Sequence, residues 1–98
     1  MEKRVEIAGK AYRLRYSVNA LCEVESRAGG SLDGLMERQF TATRLLLWGG
    51  LTELQPEISL QAAGEIIGEH LSRGGSLEEI VEICAEGLEE AGFFPKSR

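Results

Sequence analysis

"LRYSVNALCEVE", residues 14–25, changes its hydrophobic period in the middle. Up to Tyr16 the apolar side chains alternate with polar ones, as in a strand, whereas after Ser17 they recur at the spacing of one helix face. The apolar positions of that face are Val18, Leu21, Cys22 and Ala28. Because Ser17 is a residue type that caps helix N-termini, the stretch predicts a strand that passes directly into a helix.

The residues before this junction predict a β-hairpin over about residues 3–16. Apolar side chains alternate with polar ones on both sides of Ala8-Gly9-Lys10, which is typical of two strands joined by a tight turn. The alternating positions are Val5, Ile7, Tyr12, Leu14 and Tyr16. An isolated hairpin is only marginally stable in water, so we expect helices to cover one of its faces.

Glycine stops and serine caps divide the rest of the chain into about four to five short helices. Gly29-Gly30 should end the first helix, and Ser31 should cap a short segment that ends near Phe40. Pro56 should end the central helix, and Ser59 should open the next one. The expected fold is α+β and mostly helical, with the hairpin packed on a helical bundle.

The last helix has the clearest start signal, because Ser76 and Glu79 form a Ser-x-x-Glu capping box after the stop at Gly74-Gly75. Its inward stripe is predicted to comprise Leu77, Ile80, Val81, Cys84 and Leu88. Its other side carries Glu78, Glu79, Glu82, Glu86, Glu89 and Glu90. Such a face is usually solvated, and an acidic surface for a partner is the alternative. We expect one domain over residues 1–92 and a tail at 93–98.

"RLLLWGGL", residues 44–51, is apolar on nearly all sides and predicts the central buried helix, opened by Thr41 or Thr43. Gly49 and Gly50 weaken a helix, so we expect them to admit a close-packed neighbour or to bend the helix. The alternative is a ligand that approaches the bare backbone at this point.

The charge balance limits the classes of partner. The 98 residues carry 11 Lys and Arg against 16 Asp and Glu, a net charge of −5, which argues against general binding to nucleic acid or to anionic membranes. Basic residues are concentrated in residues 1–15. No apolar run approaches the roughly 20 residues of a membrane span, and no signal-peptide pattern follows Met1. We therefore expect a cytoplasmic protein.

Patterns that support catalysis or metal binding are scarce. The one histidine, His70, has no Cys or carboxylate three or four positions away. Cys22 and Cys84 fall on predicted apolar faces, which favours free buried thiols over a disulfide or a reactive pair. A nucleophilic pair of either cysteine with His70 is the catalytic alternative, and no glycine-rich phosphate motif occurs. We expect no enzymatic activity, no cofactor and no metal.

The chain closes with "AGFFPKSR", residues 91–98, in which two adjacent phenylalanines follow a glycine stop. Phe93 and Phe94 either fold back as a hydrophobic cap on the last helix or belong to an exposed patch that binds another chain.

Three stretches together resemble the tail assembly chaperones of long-tailed bacteriophages and the related proteins of prophages and gene transfer agents. They are "YRLRYSVNALCEVE" (12–25), "LLLWGGLTELQPEISLQAAGEII" (45–67) and "AGFF" (91–94). In that family a short N-terminal β segment runs into a helix of the form L/V-x-x-A-L, and an LLWAGL-like helix and a P-x-L-T-x-x-x-A helix start follow. Gly50 stands here where the family often has Ala, and Ser59 where it has Thr.

The resemblance implies a non-enzymatic role: binding the long helical tape measure protein, keeping it soluble and assisting polymerisation of the tail tube around it. Phe93 and Phe94 are then the candidate partner-binding residues. The resemblance also implies that the protein acts in the host cytoplasm, is absent from the mature virion, and is compatible with a homo-oligomer.

In this family a longer product often arises by a −1 ribosomal frameshift near the end of the gene and recruits the tail tube protein. Phe94-Pro95-Lys96 permits the codons TTC CCA AAA, which contain the slippery heptamer C CCA AAA. The codons in the gene test this hypothesis, since TTT CCG AAG would remove the site.

A second hypothesis is a small regulatory or adaptor domain that binds DNA or protein through its basic N-terminal hairpin. Arg13 and Arg15 alternate with Tyr12, Leu14 and Tyr16, so the arginines share a face that could line a DNA groove. The alternative is a solvated outer face of a hairpin that packs on helices through its other side. A DNA affinity that depends on salt distinguishes the two.

Overall fold

The computed structural model describes residues 2–29 and 38–93. Within these ranges a two-stranded antiparallel hairpin is followed by four helices packed together. The elements are β1 (Lys3–Ile7), β2 (Lys10–Leu14), α1 (Val18–Ala28), α2 (Gln39–Thr52), α3 (Leu60–Ser72) and α4 (Leu77–Glu90). The expected mostly helical α+β fold with an N-terminal hairpin is confirmed.

The predicted tight turn is present, but it comprises only two residues, because Lys10 already belongs to the second strand. Ile7 pairs with Lys10, so Ala8 and Gly9 form the turn, and both have positive φ angles, 54° and 80°. Turns of this hand match the right-handed twist of the flanking strands. Glycine adopts this backbone without strain, which explains its place at the second turn position.

The strand-to-helix junction is attached to the C-terminal end of α2. The Arg15 N–H donates to the Gly50 carbonyl at 2.8 Å. The Gln55 side chain accepts from the Arg13 N–H at 2.7 Å and donates to the Arg13 carbonyl at 2.9 Å, so one amide satisfies both backbone groups of an edge-strand residue. The junction therefore joins the hairpin to the central helix.

Two glycines leave space in the core for the side chains at the end of the hairpin. Leu14 and Tyr16, exposed by 1% and 3%, lie between Gly50 of α2 and Gly87 of α4. A Cβ atom at Gly50 would lie 2.7 Å from Tyr16 Cζ, and one at Gly87 would lie 2.6 Å from Leu14 Cδ2. The predicted close-packed neighbour at Gly50 is confirmed, and it is the hairpin itself.

Helix α1 contacts the core through a face that only partly matches the one its apolar residues predict. Ala20 and Val24 are buried, and a Cβ at Gly49 would lie 2.5 Å from Val24 Cγ2. Val18 is 64% exposed and Cys22 is also exposed, so the prediction is wrong for these two positions, including the predicted burial of Cys22. Leu21 and Ala28, the other two residues of the predicted face, are half-buried and pack against the core clusters.

The first helix has the predicted terminal signals. The Ser17 hydroxyl accepts the Ala20 N–H at 3.1 Å, and Gly29 ends the helix with φ 80°. Gly30 and Ser31 lie outside the described residues, and with them most of the predicted short helical segment.

Helix α2 is the central buried helix, as predicted, but it begins at Gln39 rather than at Thr41 or Thr43. The Thr43 hydroxyl donates to the Gln39 carbonyl at 2.7 Å, so it is engaged inside the helix and does not cap it. Phe40 therefore lies in the first turn of α2 and does not end a preceding segment. The helix ends at Thr52, before Pro56.

The two later serine caps are confirmed. The Ser59 hydroxyl accepts the Ala62 N–H at 3.1 Å, and both reciprocal hydrogen bonds of the Ser76–Glu79 capping box are present. Among the described helices, none has both the length and the apolar character needed to cross a bilayer.

Candidate functional site

An apolar groove lies between the N-terminal halves of α2 and α4. Its volume is about 440 Å³, and its lining includes Phe40, Thr43, Leu46, Leu77, Glu78 and Val81. Phe40 is 68% exposed and Val81 is 40% exposed, and among the described residues only Val18 is also a large exposed apolar side chain. Concentrated exposed apolar surface is typical of a site that binds another molecule.

The floor of the groove continues the hydrophobic core. Leu46 and Leu77 are half-buried and pack against the main core cluster. The Tyr16 hydroxyl donates to the Leu46 carbonyl at 2.6 Å, and burial raises the pKa of Tyr16 well above its usual value. Because these residues are packed on the core, a ligand that binds here does not have to order the floor of the groove.

One side of the groove is acidic. Glu78, which lines the groove, and Glu82 are exposed, lie one helical turn apart and stand on the same side of Val81 on α4. Like charges at this spacing disfavour a helix by about 0.2–0.5 kcal/mol. Among the described residues no cation lies within 4.0 Å of either carboxylate, whereas Glu86 lies 3.5 Å from Lys3. The two carboxylates beside the groove are therefore available to a ligand.

A second depression, of about 530 Å³, lies between the hairpin and α3. Its lining mixes half-buried Tyr12 and Ile66 with charged Glu65, Glu69 and Arg73. Arg73 Nε lies 3.0 Å from Glu69 Oε2, so part of its charge is already paired. This depression has none of the large exposed apolar side chains that mark the groove between α2 and α4.

Phe93, one of the two phenylalanines expected to bind a partner, is half-buried against the main core cluster. Gly92 has φ 88°, and the Phe93 N–H donates to the Leu88 carbonyl at 2.9 Å, so the chain folds back at the end of α4. Phe93 thus follows the C-terminal end of the helix whose N-terminal half forms the groove. Phe94 lies outside the described residues.

The sequence pattern does not identify the two exposed apolar residues of the groove, Val81 and Phe40. Val81 was assigned to the inward stripe of the last helix, yet its neighbour Ile80 occupies the core position. Phe40 was assigned to the end of a short segment before α2. The sequence holds only a weak signal that Val81 faces outward. Ile80, Cys84 and Leu88 recur every fourth residue along one face of the helix, and Val81 is displaced from that face by one residue.

Two of the groups with catalytic potential, His70 and Cys84, have other partners in the structure. His70 Nε2 lies 3.0 Å from Glu79 Oε1, whereas the buried Cys84 thiol lies against Tyr16. The described residues contain no cluster of three or more His, Cys, Asp or Glu side chains suited to a metal ion. The alternative of a Cys–His nucleophile therefore gains no support from these contacts.

The two thiols are expected to differ sharply in reactivity. Burial raises the pKa of the Cys84 thiol to about 11, and only the thiolate attacks a disulfide reagent. We expect one fast equivalent of reaction with a chromogenic disulfide near pH 8, assigned to exposed Cys22, and a second equivalent only after denaturation. Cys22→Ser should remove the fast phase. Two fast equivalents in the native protein would contradict the burial of Cys84.

Acid is expected to weaken the N-terminal cap of α4. The pKa of the Glu79 carboxyl is lowered, because it accepts hydrogen bonds from the Ser76 N–H at 2.9 Å and from His70. A carboxyl whose pKa folding lowers adds stability above its unfolded pKa, and this stability is lost as pH falls through the folded pKa. Urea denaturation between about pH 5 and pH 3 should therefore show a steeper loss of stability in wild type than in Glu79→Gln.

The matched control for this pH dependence is Glu23→Gln on α1, because Glu23 is exposed and makes no ion pair with another described residue. It should keep the wild-type slope. Equal slopes for wild type and Glu79→Gln would show that the capping carboxylate contributes nothing to acid sensitivity.

The basic hairpin face is partly neutralised by carboxylates. Arg15 Nη1 lies 3.7 Å from Glu53 Oε2, and Arg13 Nη1 lies 4.0 Å from Glu2 Oε1. Arg13 stands opposite Arg4 in the strand register. Carboxylates therefore stand among the exposed arginines and lower the net positive charge that would attract phosphates.

Comparison of the chain with protein-family models, with curated proteins and with solved structures gave no match in any of the three.

Proposed function

We propose that this protein is a tail assembly chaperone, which binds the tape measure protein of a long-tailed phage or prophage, keeps it soluble and assists polymerisation of the tail tube. The resemblance of residues 12–25, 45–67 and 91–94 supports the proposal. The structural observation that carries it is the exposed apolar groove with Phe40 and Val81 at its surface.

The groove suits an apolar helical segment. Two packed helices present ridges and grooves into which a third helix can dock, and helix-in-groove binding buries the apolar stripe of the guest. A long helix with an exposed stripe aggregates until another surface covers it. A small domain acting in many copies covers such stripes reversibly along the length of the partner.

On this proposal the chain performs no chemistry and needs no cofactor. It acts in the host cytoplasm and leaves the particle before maturation. A longer frameshifted product, where it is made, would bring the tail tube protein to the same complex. Phe93 and Phe94 remain candidate contacts, and Phe40 and Val81 join them.

Phe40→Asp is expected to abolish the solubilising effect on the partner. Co-expression of the wild-type protein with the long helical tape measure protein encoded nearby should yield soluble partner that co-elutes in size-exclusion chromatography. Because Phe40 is exposed and lies in the first turn of α2, an acidic residue there should leave folding intact. The variant should leave the partner insoluble.

Val18→Asp provides the matched control, since Val18 is similarly exposed and lies in the first turn of α1, away from the groove. It should solubilise the partner as wild type does. Equal loss in both variants would contradict the groove as the binding site. If wild type itself leaves the tape measure protein insoluble, the assignment of this partner fails, and the DNA affinity of the hairpin at low and high salt becomes the next measurement.

A further inference from the structure

We propose that the groove selects its guest by charge: it takes an amphipathic helix whose apolar stripe is flanked, on the side that faces α4, by Lys or Arg. This inference rests on the proposed function, because it specifies which segments of a long helical partner the groove would hold.

The shape of the groove determines where the apolar stripe of the guest helix lies and where its flanking polar residues lie. Leu46 and Leu77 form an apolar floor, and Phe40 stands on the α2 side opposite Val81 on the α4 side. An apolar stripe seated on this floor places the flanking residues of the guest beside the exposed surface of α4.

The surface of α4 beside the groove is negative at two points. Glu78 lines the groove itself, and Glu82 follows one turn later on the same side of Val81. A cation between them attracts both carboxylates and relieves their mutual repulsion. A guest helix with acidic residues on this flank instead meets two uncompensated charges.

Two other glutamates of the same helix have partners within the chain. Glu79 accepts from Ser76 and contacts His70, and Glu86 lies 3.5 Å from Lys3. Among the described residues no such partner lies within ion-pair distance of Glu78 or Glu82. Glu89 and Glu90 also lack an ion pair among the described residues, but they lie at the opposite end of α4, so Glu78 and Glu82 are the unpaired glutamates at the end of α4 that forms the groove. The net charge of −5 also favours a basic guest.

The experiment uses the full chain and three fluorescently labelled helical peptides of about 20 residues with the same leucine stripe at heptad positions a and d. Positions e and g carry Lys in the first peptide, Gln in the second and Glu in the third. Fluorescence anisotropy at low ionic strength should give a Kd for the Lys peptide about tenfold lower than for the Glu peptide. The difference should largely disappear near 1 M salt, where the screening length is about 3 Å.

The paired substitution Glu78→Lys/Glu82→Lys should reverse the order of the peptides. Glu23→Lys/Glu25→Lys, which makes the same charge change on the exposed surface of α1, should preserve the wild-type order. The salt dependence of the wild-type protein tests the proposal even if the first paired variant fails to fold.

Equal affinity for the Lys and Glu peptides would overturn charge selection, and so would the absence of binding to all three. Neither result bears on the co-expression experiment, so failure of this inference and failure of the chaperone function are distinguishable. A second copy of this protein is the alternative occupant of the groove, and sedimentation velocity tests it. If the wild-type protein dimerises and Phe40→Asp is monomeric at the same concentration, a second copy fills the groove and the proposal is wrong.

Discussion

Gly50→Ala is expected to lower the free energy of unfolding by about 1–3 kcal/mol, although alanine is a much better helix former than glycine. A Cβ at this position would lie 2.7 Å from Tyr16 Cζ and 2.9 Å from Tyr16 Oη, and it would also meet Leu14. The ring is buried, and its hydroxyl is held by the Leu46 carbonyl. The Tyr16 side chain cannot move away without losing this hydrogen bond, so the added methyl group strains the core.

Gly68→Ala is the matched control, because Gly68 lies inside α3 and a Cβ there would meet nothing within 4 Å. It should raise stability by about 0.5–1 kcal/mol, the difference in helix propensity between the two residues. Urea denaturation of both variants gives the two free energies. If Gly50→Ala stabilised the protein as Gly68→Ala does, the close packing of the hairpin on α2 would be wrong.

Leu14→Ala is expected to lower the free energy of unfolding by about 2–5 kcal/mol. The Leu14 side chain is almost fully buried and lies between Gly50 and Gly87. Glycines offer no side chains that could move into the vacated space, so the cavity left by the three missing carbon atoms collapses only in part.

Val18→Ala is the control for this large effect, since Val18 is also a branched apolar residue but is exposed. Its effect should stay within about 0.5 kcal/mol. Thermal or urea denaturation followed by far-ultraviolet circular dichroism measures both variants. A loss below about 1 kcal/mol for Leu14→Ala would mean that the hairpin unfolds separately from the helices, since a buried leucine in a cooperative core contributes more than that.

Several features of the fold follow from signals that are local in the sequence. The two-residue period before Tyr16 and the turn at Gly9 predicted the hairpin. Four serines were predicted to cap helices, and three of them lie within the described residues. The caps that the structure confirms are Ser17, Ser59 and Ser76. A cap depends on a side chain and a backbone N–H about three residues away, so little of the remaining fold is needed to predict it.

The start of α2 shows where local signals were insufficient. Thr41 and Thr43 are acceptable caps by residue type, yet the Thr43 hydroxyl donates inside the helix to Gln39. A threonine hydroxyl can accept a backbone N–H at a helix start or donate to a backbone carbonyl one turn earlier inside a helix. Which one occurs depends on where the helix packs, and that is a tertiary property.

The candidate site was hardly predictable for a related reason. Val81 and Ile80 are both apolar and adjacent on α4, but Ile80 is buried and Val81 forms part of the groove. Phe40 has the composition of a core residue and is exposed. Hydrophobic periodicity locates the apolar stripe of a helix to within about one residue. Because a helix turns by about 100° per residue, an error of one residue decides whether a side chain is assigned to the core or to the surface.

The sequence by itself determined the order of the elements, the hairpin, the caps at Ser17, Ser59 and Ser76, and the two positions, Gly49 and Gly50, at which the central helix has no Cβ, because period and capping act over a few residues. Only the tertiary structure decided that Val24 and the Leu14–Tyr16 pair fill the space at those positions, that Cys22 faces outward, and that Phe40 and Val81 border one groove. The physical reason is that exposure depends on which neighbouring helix covers a residue, and segments distant in the chain make that choice.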